Sequence, residues 1–453
     1  MNKLLPPNSR RNRAQVVQRL FSWTVPLAAV LSLASAPARA DLQILITKGV
    51  TDPIPIAIVP FARAVPADGG FDVAAVVQHD LESSGRFRAM QRRDMLANPS
   101  SASQVQAADW KSAGNDYVVV GRESAAAGTE IDIDCDLINT QTGERVASQR
   151  IIASGSSLRN GAHQLSDFIY EKILGVRGAF ATRIAYVAVQ GALPSQHYQL
   201  IVADADGENP KTILKSPQPI MSPAWSPDGQ WLAYVSFENR LSGVYVQRVR
   251  SGERHLVSAR AGVNGAPAYS PDGKLLALTL SGVGGNLDIW LLDLSSQMLT
   301  RLTDDPAVDT EPAWSPDGRS IYFTSDRAGG PQIYRLEIAQ PRRVERITFG
   351  SAYNARPRVS PDGKKVAFVT RDGNNYRIAI QDLASATVSV LSHGSLDESP
   401  SFAPNGATII YAGRDAELGL LQTVSVDGLV TQRLKSDQGE VREPVWGPFA
   451  GNP

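Results

Sequence analysis

One cysteine in 453 residues, Cys135, leaves no disulfide framework to build on. It stands in "EIDIDCDLI", where Ile131, Ile133, Cys135 and Leu137 alternate with Asp132, Asp134 and Asp136. That period of two is a half-buried strand, so the thiol is expected in the core rather than exposed as a nucleophile. The five histidines are scattered, and the sequence has no His-Glu-x-x-His pair, nucleophile elbow, Walker loop or dinucleotide glycine pattern. Charge of one sign is also missing overall, with 45 basic residues against 45 acidic. Lysine and arginine are dispersed, which argues against nucleic acid as a partner. Beyond residue 40 no apolar run is long enough to span a bilayer.

The first forty residues differ from the rest. They carry six basic and no acidic residues, leaving 39 basic against 45 acidic, a net of −6, for the remainder. An uncharged run follows Arg19 and ends at "ARA", with Ala38 and Ala40 in the small-residue cleavage positions. Residues 1–40 are therefore expected to be a signal peptide. A retained anchor is the competing reading, weakened by Pro26 and Pro37. The mature chain, from Asp41, is expected outside the cytoplasm with no direct membrane span.

Two textures follow. Residues 41–180 mix short strands with stretches of helical periodicity such as "FDVAAVVQHDLESSGRF" and "QLSDFIYEKILG", which stop at Gly85 and Gly175. This part is expected to be a small N-terminal α/β domain. From residue 181 to 453 repetition takes over. The aspartate of a Ser-Pro-Asp-Gly turn recurs at 228, 272, 317 and 362, and Asn405 takes its place at intervals of 44, 45, 45 and 43 residues. Each repeat offers four short strands, the signature of a propeller blade. "RIAYVAV" at 183–189 matches a second strand with no first strand before it, while "EPVWGPF" at 443–449 is a first strand with no repeat after it. Joining them closes an all-β six-bladed β-propeller.

In the turns, proline presets φ, aspartate bonds to nearby backbone and glycine takes the left-handed position, so Asp228, Asp272, Asp317 and Asp362 are expected as turn formers. "DADGEN" at 204–209 lacks the spaced glutamate of a calcium loop and falls where other repeats turn from third to fourth strand. The row Asp132, Asp134, Asp136 reads as the solvated side of its strand. No metal, cofactor or catalytic residue is assigned. What varies is the segment before each first strand, which should ring one mouth of the channel: Met221, Asn264, Asp309, Thr310, Glu311, Tyr353, Asn354, Arg356, Asp397, Glu398, Arg442 and Glu443. This mixed-sign surface suits a protein partner.

The "PxWSPDG" repeats, the split sixth blade and the signal peptide together resemble the TolB family of the Tol-Pal system in Gram-negative bacteria. So do "EKILGVRGAFATRIAYV" at 171–187, "NGAPAYSPDG", "DTEPAWSPDG" and "TSDRAGGPQIY". The resemblance covers essentially the whole mature chain. It implies a non-enzymatic periplasmic interaction protein that supports outer-membrane integrity and invagination during division. The Pal lipoprotein would bind at the propeller mouth, where Asn264, Ala266 and Thr310 inherit roles by motif match. Val263 precedes them at a place where the sequence departs from a histidine-bearing pattern. The arm that begins Asp41, Leu42, Gln43, Ile44, Leu45, Ile46 would bind the TolA C-terminal domain, with other outer-membrane or periplasmic proteins as further partners. Its alternating side chains suit strand pairing with a partner, or the first strand of the α/β domain. An exported propeller hydrolase or peptidase fits the turn repeats alone, and a lectin-like or small-ligand propeller stays open. Read as a rim charge, Glu311→Lys is expected to weaken Pal binding with little change in melting.

Overall fold

The structure, a computed structural model, describes residues 44–45, 52–63, 71–192, 195–282, 284–415, 418–436 and 439–451. The expected signal peptide lies outside them. Strand β1 (Ile44–Leu45) comes first, followed by β2 (Ile54–Ile58) and β3 (Ala62–Arg63). Helix α1 (Val73–Ser83) starts where Asp72 accepts a hydrogen bond from the Ala75 backbone N–H at 3.0 Å. It leads to β4 (Phe87–Ala89), which pairs in parallel with β2. After the short α2 (Ala107–Ser112) come β5 (Tyr117–Ala125), β6 (Glu130–Asn139) and β7 (Arg145–Ser154). The sheet runs β4-β2-β5-β6-β7 with β3 beside β5. Helix α3 (Leu158–Leu174) closes this part and ends on Gly175 in the left-handed conformation, φ 73°.

The alternation in β6 sorts its side chains. Cys135 is 1% exposed among Ile133, Leu137 and the helices, and burial raises its thiol well above the usual range. The aspartates on the other face meet arginines from both neighbouring strands: Arg122–Asp134 at 2.8 Å, Arg145–Asp136 at 3.4 Å, and Arg150–Asp132. The row is thus neutralised across the strands instead of standing bare in solvent, which leaves it unlike a chelating face.

Six sheets make up the propeller. Blade 2 covers Ile220–Ser258, blade 3 Asn264–Arg301, blade 4 Asp309–Arg346, blade 5 Asn354–Val390 and blade 6 Glu398–Arg433. Blade 1 takes its outer three strands from 183–216 and its inner strand, Glu440–Trp446, from the far end of the chain. Arg442 faces Val187 and Trp446 faces Ile184 in that antiparallel pairing. Trp446 Nε1 also donates to Thr182 Oγ1 at 2.8 Å, and the Trp225 indole of blade 2 donates to the Val445 carbonyl at 3.3 Å.

Second strands are apolar on both faces because each lies between two neighbouring sheets. In blade 2, Leu232 and Tyr234 pack with Ala185 and Val187 of blade 1, while Ala233 packs with Leu276 and Leu278 of blade 3. A lone sheet could bury only one of these faces, and the ring buries both. The turns work as expected. Asp272 Oδ1 accepts from Ser270 Oγ at 2.6 Å and from the Lys274 N–H at 3.1 Å, and Asp317 repeats this with Ser315 and Arg319 at 2.6 and 3.0 Å. Those bonds, the serine hydroxyl first, hold both carboxyls below their ordinary range. Gly273 has φ 72°, and a Cβ there would meet Pro227 of the preceding turn at 3.6 Å, so the turns form a touching ring of their own.

Among the described residues no helix is long and apolar enough to cross a membrane. Trp446→Ala is expected to destabilise the protein by about 3 kcal/mol through the lost core and seam contacts, read as a lower urea midpoint. Asp317→Asn should cost less than about 1 kcal/mol, since asparagine keeps an acceptor there, as Asn405 does for the Ala407 N–H at 3.1 Å in blade 6. The aspartate contribution is present above the ordinary carboxylate range and is lost as pH falls through the lowered value, so Asp317→Asn should also blunt acid destabilisation.

Candidate protein-binding face at the channel mouth

Antiparallel pairing puts the start of each inner strand beside the end of the second strand, Ile220 against Ser236 in blade 2 for example. The segments before the inner strands therefore share one end of the ring with the loops between second and third strands. The candidate residues assemble there, but in three tiers.

The deepest tier is buried. Asn264, Asp309, Asn354 and Asp397 are 0–1% exposed. Asn264 Oδ1 accepts from Ser258 Oγ at 2.7 Å and the Arg260 N–H at 2.9 Å, tying the outer strand of blade 2 to the inner strand of blade 3. Asp309 takes two bonds from Arg327 at 2.8 and 2.9 Å. Asn354 donates to Gln332 Oε1 at 2.9 Å, and Asp397 accepts from Ser392 Oγ and from the Gly394 N–H at 3.0 Å. Burial raises the Asp397 carboxyl above its usual range despite these bonds. These four side chains are corrected from surface groups to internal pins, because each has its bonding capacity turned inward.

The second tier is strained. Each inner strand carries a register shift, and the residue before its proline has positive φ: Ser222 50°, Ala266 44°, Glu311 56°, Arg356 56°, Ser399 57° and Glu443 50°. Left-handed backbone is uncommon for residues other than glycine, and six copies at one register are a built feature. These six residues line the narrow part of the channel together with Pro223, Pro267, Pro312, Pro444 and Arg358. Arg356 Nε bonds Glu311 Oε1 at 3.0 Å, and its guanidinium lies 3.8 Å from Glu443, so one cation joins blades 5, 4 and 1 across the axis. Glu311 Oε2 further accepts from Thr324 Oγ1 at 2.9 Å and the Arg356 N–H at 3.0 Å. Burial alone would lower the Arg356 pKa, but Glu311, Glu443 and Glu398 raise it instead. Arg358, with less compensation, is lowered by its burial, and burial raises the Glu398 carboxyl.

Glu311 is accordingly not a free rim charge. Its side chain is 24% exposed and fully engaged, which corrects the expectation that Glu311→Lys leaves melting unchanged. Thr310 is half-buried, its hydroxyl 3.3 Å from Thr279 Oγ1.

The outer tier is what a partner could touch. Met221 is 39% exposed and Val263 42%, and Arg442 projects beside Glu440 at 2.9 Å. Tyr353 is half-buried, edge-on to Tyr376 with ring centres 5.1 Å apart. Sequence reasoning missed Leu241, Val308, Phe349 and Leu396, all exposed at the same end. A signal for two of them, Val308 and Leu396, exists. Val263-Asn264, Val308-Asp309, Tyr353-Asn354 and Leu396-Asp397 repeat one pair, a large apolar or aromatic residue followed by a buried polar pin.

The expected arm is placed only in part. Ile44 and Leu45 pair antiparallel with Gln432 and Thr431, adding a fifth strand to the outer edge of blade 6. Asp41, Leu42, Gln43 and Ile46 lie outside the described residues. The pair belongs to a blade and not to the α/β sheet, which removes the reading of β1 as that sheet's first strand.

These features define a six-bladed β-propeller protein with an N-terminal α/β domain. Residues 42–146 match the TolB amino-terminal domain and residues 170–450 the TolB beta propeller domain. The Tol-Pal system protein TolB of Alcanivorax borkumensis is 47% identical over 436 residues, 96% of this chain and 99% of that protein. Its counterpart from Thioalkalivibrio sulfidiphilus is 49% identical over 415 residues, 91% and 95% of the two chains. The crystal structure of TolB from Acinetobacter baumannii superposes with a TM-score of 0.83 at 42% identity, covering 90% of this chain and all of that one. The chain belongs to the TolB family of the Tol-Pal system.

Reversing the charge at position 311 places two cations side by side in the channel. Glu311→Lys is expected to lower stability by about 2 kcal/mol or more, measurable as a reduced urea midpoint, with Glu311→Gln costing less.

Proposed function

We propose that this chain is a non-enzymatic, periplasmic interaction component of the Tol-Pal system that binds the Pal lipoprotein at the propeller mouth. In this reading the arm beginning at Asp41 engages the C-terminal domain of TolA. The pair of contacts supports outer-membrane integrity and invagination at division. The observation that carries the reading is the apolar ring of Met221, Leu241, Val263, Val308, Phe349 and Leu396, exposed side chains standing at one end of the channel. Apolar anchors of this kind, set on a rigid base and rimmed by charges such as Arg442, are what a protein interface concentrates its affinity in. Asn264, Asp309, Asn354 and Asp397 act by positioning that ring, while Ala266, Thr310, Glu311, Arg356 and Glu398 shape the channel beneath it. The family membership supports the choice of partners.

The test is calorimetry of the purified mature protein with soluble Pal and, separately, with the TolA C-terminal domain. Val263→Asp and Val308→Asp are each expected to weaken Pal binding tenfold or more, about 1.4 kcal/mol, without moving the melting temperature. Removal of residues 41–46 should abolish TolA binding and spare Pal. Wild-type affinity for Pal in both aspartate variants would sink the assignment of this face.

A further inference from the structure

A buried histidine lies where the α/β part meets the propeller. His163, on α3, is 2% exposed. Its Nδ1 is 2.7 Å from Asp80 Oδ2 on α1, and Ser166 Oγ donates to the same oxygen at 2.6 Å. Its other nitrogen, Nε2, faces Asp206 Oδ2 at 3.8 Å and has no hydrogen-bond partner. Asp206 comes from "DADGEN", the loop between third and fourth strands of blade 1, so the imidazole stands between carboxylates from both sides of the junction. Arg159, one helical turn before His163, bonds Asp206 and lies 3.5 Å from Asp204.

The remaining neighbours are accounted for. On α3 itself, Asp167 accepts the Phe180 N–H at 2.7 Å and the Ala181 N–H at 3.3 Å, fixing the start of the propeller. Strands β6 and β7 offer Ile133, Ile151 and Ala153 around Gly161, with their charged residues on the opposite face. His79 and Arg86 of the α/β part line the adjoining cavity, and Arg86 is held by Asp427 at 2.8 Å. On the propeller side Lys435 pairs with Glu208 at 3.3 Å, and Arg183 acts on Asp204.

We propose that this junction is a proton-operated clasp, in which imidazolium at His163 ties Asp80 of the α/β part to Asp206 of blade 1 and its deprotonation loosens the two parts. The charges that act on the imidazole are Asp80, Asp206 and Arg159, so the cluster lacks one positive charge, which a single proton supplies and a dication would exceed. Arg159 already occupies the Asp206 carboxylate, which further disfavours a metal ion. Burial alone would lower the His163 pKa, but Asp80 and then Asp206 overcome it and hold it above the ordinary value. Asp167, one turn on, is pushed up to about 6 by burial. Asp80 stays beside His163 whether the junction is open or closed, so closure is linked to the histidine proton through Asp206, which only the closed junction brings to Nε2. Closure is therefore favoured at low pH and weakens as pH rises through the raised histidine value. Above it, Nε2 presents a lone pair to Asp206 across the junction.

Trypsin cleavage after the exposed Arg177, in the segment joining the two parts, reports opening when reclosure is fast. On the intact mature chain, normalised to a peptide of the same segment, cleavage is expected to rise roughly threefold or more from pH 6 to 8, one linked proton permitting at most tenfold per pH unit. His163→Gln keeps a donor without titrating and should flatten the profile, and Asp206→Asn should flatten it too. In wild-type protein, nitrogen chemical shifts should show His163 titrating above the free-histidine value. Titration below that value would overturn the clasp, a measurement that stands whether or not the variants fold. An unchanged pH profile in His163→Gln would overturn it equally, as would uptake of one zinc ion per chain that this substitution abolishes.

Discussion

Everything at the channel mouth depends on one antiparallel pairing, that of Glu440–Trp446 with Arg183–Gln190. A propeller blade is stable only between two others, so a ring with one gap exposes two faces and loses the geometry that converges six inner strands on an axis. Here the gap is filled by residues some 250 positions apart in the chain. Trp446, Trp225 and Thr182 then stitch that blade to its neighbour and to the segment from the α/β part. Closure is thus a non-local event that fixes many local ones.

With the ring closed, each inner strand meets the others at close quarters, and the strained residues before the prolines become intelligible. A left-handed residue at Glu311, Arg356 or Glu443 swings its side chain into the channel, where opposite charges meet from blades 4, 5 and 1. The conformational cost, of order 1–3 kcal/mol for each such residue, can be sustained only where surrounding structure over-determines the backbone. The ladder on one side and the pinned Asn264, Asp309, Asn354 and Asp397 on the other supply that constraint. The result is a stiff base under a ring of apolar side chains, and stiffness keeps the ordering cost of binding low.

Polar burial serves two different ends in the molecule. At the mouth Asn264, Asp309 and Asn354 are held by hydroxyl, amide, backbone and guanidinium groups rather than by a histidine. At the junction between the α/β part and blade 1 the match includes a histidine, whose charge does change. The same physics, a low-dielectric site that penalises an unbalanced charge, gives permanence in one place and pH sensitivity in the other.

The turn repeats, the split blade and the buried face around Cys135 were legible because each is written in local pattern: a four-residue turn, a strand without its mate, a period of two. The ring of variable segments was legible as a location, since propeller topology sends all inner strands to one channel. What that ring contains was not, because Asn264 and Asp309 read as surface polar residues until Ser258 and Arg327 are seen to enclose them. Likewise Glu311 reads as a rim charge until Arg356, 45 residues away, reaches it, and "DADGEN" reads as a bland turn until α3 brings His163 against it. Sequence alone determined the elements and their order, since these follow from propensities and spacing along the chain. Tertiary structure decided which polar groups face water and which face each other, because burial and pairing are set by residues that meet only when the ring shuts.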